Sequence, residues 1–454
     1  MSGVIGVYAL NGGNISDDLF YASVALQHRG EEGCGLSVAR PVDGFYTPLH
    51  GDGLVFYRFR KELERFRDVG SYAGIGHTLY ERNGSPQPVE QAGLNHRLSM
   101  GMDGVLLGFH GKNDAYMRTA FSRELDATDG DFFRAGEALM ERLSDRGSYC
   151  VTALVENRDG KHLVYYRDPK GIKPLCIGRK GDTVVVASES CAIDAVEAEF
   201  MRDVEPGEMG VVSSNGGHQS RVLKSQPHSH CAFEWVYFAD PASTIEGRNV
   251  YDVRKELGRR VVRRHYEYLK DADLVMASPD SGRGVAMGTY QELSLMRGKL
   301  IPFEEVGLKT PGARRTFQTE DPAERTIAAR AKFHIVREVV HANKIIGCDD
   351  SIVRGTVFSE GMVHKLRRAG AREIVAVISC PPLRYPCIKD PKSQTFAAQG
   401  MTGSIEEVGR QVAKKIGVDM VCYPTVDDLQ EAIGLDDIGA ACLTGKYYVS
   451  PELL

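Results

Sequence analysis

Residues 345–357 read Ile-Ile-Gly-Cys-Asp-Asp-Ser-Ile-Val-Arg-Gly-Thr-Val, and no other stretch narrows the fold as much. A short apolar run ends on two acids, a Ser/Gly/Thr loop follows, and a helical pattern then covers Val357–Ala369 and stops at Gly370. Further apolar runs at Asp273–Ala277 and Ile374–Ser379 alternate with helical segments such as the charged, amphipathic Asn249–Lys270. This alternation predicts an α/β unit with a parallel sheet and crossover helices. Open parallel sheets hold ligands at the carboxyl ends of their strands, which is where Asp349 and Asp350 fall. The loop amides of Ser351–Thr356 open onto a helix N-terminus, where free N–H groups and the helix dipole favour a phosphate. Adjacent carboxylates suit ribose hydroxyls or Mg²⁺. One loop therefore offers contacts for both ends of a ribose 5-phosphate.

The first 225 residues have a different texture. Short apolar or β-branched runs at Val4–Leu10, Val105–Phe109, Cys150–Glu156, Leu163–Arg167 and Thr183–Ser188 are separated by Gly, Asn and Asp turns. Two helical patterns, Asp17–Gln27 and Phe132–Leu143, lie among them. Mixed elements of this kind predict α+β layers on a shared core. The polar stretch Val211–Arg221 reads as a hairpin or boundary loop. The boundary is expected near residue 230, giving units 1–230 and 231–454, with about 30 C-terminal residues packing back.

Composition excludes several functions. The 454 residues carry 56 basic and 61 acidic side chains, a net charge of −5, so there is no basic excess for a nucleic-acid partner. No run reaches the ~18 apolar residues of a membrane helix, and the start of the chain lacks the pattern of a secretory signal. A cytoplasmic protein is expected. The ten cysteines include no C-x-x-C pair, and buried reduced thiols are the default reading.

The 345–357 string resembles the signature of type I phosphoribosyltransferases, and the match is closest to the amidophosphoribosyltransferase family. Other segments resemble that family in the same order over nearly the whole chain. They are Cys231-Ala-Phe-Glu-Trp-Val-Tyr-Phe-Ala-Asp-Pro-Ala-Ser243, Ser278-Pro-Asp-Ser-Gly282, Arg315-Thr-Phe317, Ser379-Cys-Pro-Pro-Leu-Arg-Tyr-Pro-Cys387 and Cys442-Leu-Thr-Gly-Lys-Tyr447. The resemblance implies that the chain takes phosphoribosyl pyrophosphate (PRPP) and Mg²⁺ and makes phosphoribosylamine and pyrophosphate in purine biosynthesis. It implies catalytic roles for Asp349, Asp350 and Arg354, and PRPP contacts from Ser351, Ile352, Val353, Gly355, Thr356, Pro279, Asp280, Ser281, Gly282, Arg315 and Lys332. Arg325 and Arg330 are further cations of its mobile loop. Mg²⁺ falls to Ser281, Asp349 and Asp350. The sequence departs from the family at Val357, where a second Thr is usual, and in the Thr310–Phe317 segment, which carries Pro311 in place of an Asn-Arg-Tyr run.

The amino-terminal half resembles class II glutamine amidotransferase domains, whose fold is an αββα sandwich of the N-terminal-nucleophile type. The framework segments are Gly3-Val-Ile-Gly6, Leu26-Gln-His-Arg-Gly30, Gly76-His77, Asn83-Gly-Ser-Pro-Gln-Pro88, Asp168-Pro-Lys-Gly-Ile-Lys-Pro-Leu175, Ala187-Ser-Glu-Ser190 and Pro206-Gly-Glu208. Their catalytic residues do not follow. Ser2 stands at the nucleophile position, where removal of Met1 would expose its amino group as base. Leu79 stands where the family has the Arg that grips the glutamine carboxylate, and His110 where it has the oxyanion-hole Asn. Losing one oxyanion donor costs about 2.7–4 kcal/mol of transition-state stabilisation. Glutamine hydrolysis is therefore expected to be lost. Asp129 aligns loosely with the residue that meets the substrate amine, and Cys34 is expected to pack rather than react.

Some family members hold a [4Fe–4S] cluster on four cysteines. Cys231, Cys387 and Cys442 fall near matching positions, and Cys422 or Cys380 would have to supply the fourth, so relic thiols are the expectation. The expected partners are PRPP, purine nucleotides, a second copy or a tetramer of the chain, and an ammonia-supplying or genuine amidotransferase protein. Two alternatives remain: a non-catalytic PRPP- or nucleotide-binding regulator or scaffold, and phosphoribosyl transfer to another amine.

Overall fold

The computed structural model describes every residue except 1, 41–43, 46–47, 81–83, 110, 311–321, 356, 389–395, 450–452 and 454, and only the backbone of 322–325 and 357. Strand Gly3–Ala9 shows how the first half is built. Val4 and Tyr8 point to one side and Ile5, Val7 and Ala9 to the other, and all five are buried. A strand apolar on both faces must be covered on both faces. It lies inside a seven-stranded antiparallel sheet, between Thr183–Ala187 and Ala73–Leu79. The Val4 and Tyr8 face packs against Leu154 and Leu163 of a second, six-stranded sheet. The opposite face is covered by Leu19 and Phe20 of helix Ser16–Ala25. Helices Asn113–Ala127 and Phe132–Arg142 cover the outside of the second sheet through Met117, Phe121 and Leu139. The result is the expected αββα sandwich.

The second half holds four parallel strands in the order Leu274–Ala277, Lys344–Asp349, Glu373–Ile378 and Met420–Cys422. Each runs as a near-continuous apolar segment, as strands covered on both faces do. Helices Val250–Leu269 and Arg283–Arg297 cover one face through Val261 and Leu293. Phe358 and Met362, with Val408 and Val412 of helix Ile405–Ile416, cover the other. The chain end does return: Ile438–Gly439 pairs in parallel with His230–Cys231.

Two expectations change. The strand expected at Val105–Phe109 is the tail of a longer one, Arg97–Leu106, which pairs along its whole length with Gly147–Asn157. Its buried alternation runs through Leu98, Met100 and Met102, and small residues between them hide it from a search for apolar runs. The helix expected from Val357 begins as a π-helix over Val357–Val363 and turns α only at His364–Arg368. The polar stretch near 211–221 is the hairpin joining strands Glu208–Ser213 and Gly217–Val222. Among the described residues no helix is long and apolar enough to cross a membrane.

Candidate active sites

Asp349 is the last residue of its strand and Asp350 the next, so both lie at the carboxyl edge of the parallel sheet. They are only 8% and 5% exposed. The Asp350 amide donates to Asp349 Oδ1 at 2.9 Å, and Ser351 Oγ donates to Asp350 Oδ1 at 2.6 Å. Ser379 Oγ and the Cys380 amide both donate to the Asp350 carbonyl, at 3.0 and 2.9 Å. The loop is thereby tied to the end of the neighbouring strand.

The Ser278–Gly282 loop closes on the same edge. The Ser278 amide donates to the Cys348 carbonyl at 2.7 Å. Gly282 permits the approach, since a Cβ there would lie 2.4 Å from that carbonyl oxygen. Ser281 Oγ then comes to 3.5 Å from Asp349 Oδ1. Gly355 is needed for a second reason: its φ is +87°, and a Cβ would meet Ile416 at 2.7 Å. Ile352 is buried and anchors the loop in the core below it.

Burial, and then the like charge of Asp350, push the Asp349 carboxyl well above its ordinary range, with Lys332 as the main opposing cation. Two desolvated carboxylates side by side with a nearby hydroxyl are hard oxygen donors of the kind that hold Mg²⁺. Asp280 and Pro279 lie on the rim, where Asp280 is 3.2 Å from Lys309. Arg330, expected over the pyrophosphate, instead pairs with Glu360 at 2.7 Å, held there by the Val357–Val363 turn. Arg315, Thr356 and Pro311 lie outside the described residues, as do the side chains of Arg325 and Val357.

The amino-terminal site is organised around Arg29, which is 1% exposed. Its Nε donates to the Ser2 carbonyl at 2.9 Å. Its other nitrogens donate to Glu189 at 2.5 Å, to both carboxylate oxygens of Glu234 at 3.0 Å, and to Asp103 at 3.4 Å. Asp103 also accepts the Ser2 amide at 2.9 Å and lies 3.7 Å from Lys173. Burial alone would raise the Glu189 carboxyl, but His28 and Arg29 hold it well below the carboxylate range. None of Arg29, Asp103, Glu189 or Glu234 was singled out from sequence. The legible signal was a lone charge inside an apolar run, as in Leu98-Ser-Met-Gly-Met-Asp103-Gly-Val105.

Leu79 ends its strand and lines a cleft of about 110 Å³ with Glu32, Cys34, Asp52 and Gln87, so an aliphatic side chain occupies the position expected of a carboxylate clamp. Cys34 is buried there, its thiol pushed up to about 12 by burial, as fits a packing role. His77 is pulled down to about 4 by burial and is neutral. His110 and Asn83 lie outside the described residues. Asp129 is not brought to Ser2. It lies beyond the Asn113–Ala127 helix, about 21 Å long at 1.5 Å per residue, and faces Arg158 at 3.8 Å with its side chain 81% exposed.

The thiols sort clearly. Cys231, Cys380 and Cys387 all act electrostatically on Cys442, whose own thiol burial pushes well above its ordinary value. Cys422 instead lies beside Cys348 in the core on the other face of the sheet. Cys380 is therefore the neighbour of the three expected positions. Among the described residues no group of three or more His, Cys, Asp or Glu is arranged to hold a metal ion, so these thiols do not form a cluster ligand set.

The two halves together make a class II glutamine amidotransferase-type sandwich carrying a type I phosphoribosyltransferase-type sheet. Solved structures share this arrangement. One, described as the allosteric regulatory enzyme of purine biosynthesis, matches with a TM-score of 0.83 at 30% identity over 100% of this chain and 97% of its own. Another, the glutamine PRPP amidotransferase from B. subtilis complexed with ADP and GMP, matches with a TM-score of 0.78 at 29% identity over 100% and 99%. Amidophosphoribosyltransferases from Archaeoglobus fulgidus and Pyrococcus horikoshii are 34% and 35% identical over 99% and 98% of this chain and 98% and 96% of their own lengths. No family model matches. The chain belongs to the amidophosphoribosyltransferase family.

Proposed function

We propose that this chain transfers phosphoribose from PRPP to ammonia in purine biosynthesis and no longer hydrolyses glutamine. The observation that carries the transfer is the buried acid pair facing the Ser278–Gly282 loop across 3.5 Å. In this reading Asp349 and Asp350 hold the ribose hydroxyls and Mg²⁺, with Ser281 beside them. The amides of Ser351, Ile352, Val353, Gly355 and Thr356 hold the 5′-phosphate. Pro279, Asp280, Gly282, Arg315 and Lys332 meet the pyrophosphate, and Arg354 supplies positive charge next to the loop. The bond from the anomeric carbon to pyrophosphate breaks, a bond to nitrogen forms, and ammonia's surplus proton leaves. Positive charge at that carbon builds as the leaving group takes the electron pair, which Mg²⁺, when bound, and the cations stabilise.

Loss of the glutaminase rests on Ser2, Leu79 and His110 together, supported by the aliphatic lining at Leu79. We read Cys231, Cys387 and Cys442 as relics of a cluster cradle, 1–230 and 231–454 as the two domains, and the working protein as a cytoplasmic homo-oligomer. The test is pyrophosphate release from PRPP and Mg²⁺ with ammonia or glutamine offered separately. Ammonia-dependent release with none from glutamine is expected. Glutamine-supported release overturns the glutaminase claim.

A second reading, favoured by the missing carboxylate clamp, is a PRPP- or nucleotide-binding regulator of a genuine amidotransferase. Tight Mg²⁺-PRPP binding without turnover on any amine would select it. Turnover on an amine other than ammonia would select transfer to that acceptor.

A further inference from the structure

Arg254 is a buried cation that the reading above leaves without a task. It sits on the Val250–Leu269 helix and is 2% exposed. Its Nε donates to the Trp235 carbonyl at 2.9 Å and its Nη2 to the Ala239 carbonyl at 2.8 Å. Both carbonyls belong to the Glu234–Phe238 turn and its C-cap, between the sandwich and the parallel sheet. On its other side the Arg254 stem presses on the pyrophosphate loop's helix, where a Cβ on Gly284 would come within 2.9 Å of the Arg254 Cβ. Val253 and Leu257, its helix neighbours, share one core with Ile352 and Cys380, which flank Asp350 in sequence and by hydrogen bond.

Two carbonyls do not neutralise a buried guanidinium. The carboxylate that most offsets the cost of burying Arg254 is Asp350, followed by Glu189 and Asp240. Glu189 is also the carboxylate gripped by Arg29, and its second oxygen accepts the Asp240 amide at 2.7 Å and Ser243 Oγ at 2.8 Å. Charges therefore alternate through the interior: Asp103, Arg29, Glu189, Arg254, Asp350. The series begins at the Ser2 amide and ends in the PRPP loop.

We propose that Arg254 is a positioning residue of the phosphoribosyl-transfer site, fixing Asp350 from behind and tying it to the junction turn through Trp235 and Ala239. The inference rests on the function proposed above. It adds that the acid pair is held asymmetrically, with Asp350 braced by a guanidinium in the protein and Asp349 facing Ser281 and the ligand.

The test measures the dissociation constant of Mg²⁺-PRPP and the Michaelis constant for ammonia in the full-length wild type, R254Q, R254K, D350N and R254Q/D350N. R254Q is expected to weaken PRPP binding about tenfold or more, the size of coupling seen between residues in contact, and to leave the ammonia constant unchanged. R254K is expected to recover most of that loss, because it keeps the charge. The double variant is expected to bind no more weakly than D350N. If R254Q fails to fold, R254K carries the test, and PRPP binding in R254K as weak as in D350N overturns the proposal. Unchanged PRPP binding in R254Q, or equal damage in R254Q and R254K alongside equal loss of thermal stability, also overturns it. A wild type that does not bind Mg²⁺-PRPP fails the site reading itself. D350N impaired with R254Q intact fails this inference alone.

Discussion

Two clusters of buried acids lie in this molecule, and they are built in opposite ways. Around Arg29, the carboxylates of Asp103, Glu189 and Glu234 meet Arg29, Lys173 and His28 at distances between 2.5 and 3.9 Å. Burial would push the His28 imidazole down, yet Glu189 raises it, and Glu189 itself is held far below its ordinary value. Every charge there has a partner in the chain. At the parallel-sheet edge, two carboxylates adjoin, and burial and mutual repulsion drive Asp349 up. A complete network has nothing left to offer a ligand and serves as structure. An incomplete pair is destabilised until a cation and hydroxyls arrive, which is what a receptor needs. The contrast explains why the family's amino-terminal framework persists here although its glutaminase residues do not: the framework carries the junction.

The largest test of this contrast changes both acids at the sheet edge. D349N/D350N should lower ammonia-dependent pyrophosphate release by more than about 10²-fold, the scale of losing one transition-state charge stabiliser. The same variant should unfold at equal or higher denaturant, because two like charges leave the interior. Retained activity would remove these acids from the site. Arg29→Met should do the reverse. It strands three buried carboxylates on Lys173 and His28, at a cost of about 3–5 kcal/mol, read from urea unfolding. A stability loss below about 1 kcal/mol would mean that the network is not structural.

The acid pair was legible because its chemistry is local: strand, two acids, loop and helix occupy thirteen consecutive residues. The Arg29 network was not, because its members come from residues 29, 103, 173, 189 and 234 and meet only when sheet and junction are assembled. Arg29, Glu189 and Glu234 lay inside segments noted for their resemblance, yet nothing in those segments says which charges touch. The sandwich strands were legible where both faces are apolar, as at Val4–Leu10, and shifted where small residues interrupt the pattern, as at Arg97–Leu106. Asp129 was misassigned because a loose alignment cannot register the length of an intervening helix.

A third acid pair, intermediate between the two extremes, gives the finest test. Asp203 accepts the amides of Glu246 and Gly247 at the tip of the Thr244–Asn249 hairpin. Glu246 is 2.6 Å from Arg167 and 3.6 Å from His228. Arg167 already serves the carbonyls of Lys173, Val204 and Gly171, so one cation faces two acids. Burial, then Glu246, raises Asp203 from 3.8 to about 7. The folded state therefore keeps a proton that the unfolded chain releases near pH 4. Stability from this group is full below that pH, falls as pH rises toward 7, and stays lost above it, with a slope of at most about 1.4 kcal/mol per pH unit. D203N has no charge to lose. Its urea midpoint should exceed that of the wild type at pH 8, and the gap should close toward pH 5. Parallel curves for the two proteins between pH 5 and 8 would show that Arg167 compensates both acids, and the junction would then belong with the complete networks.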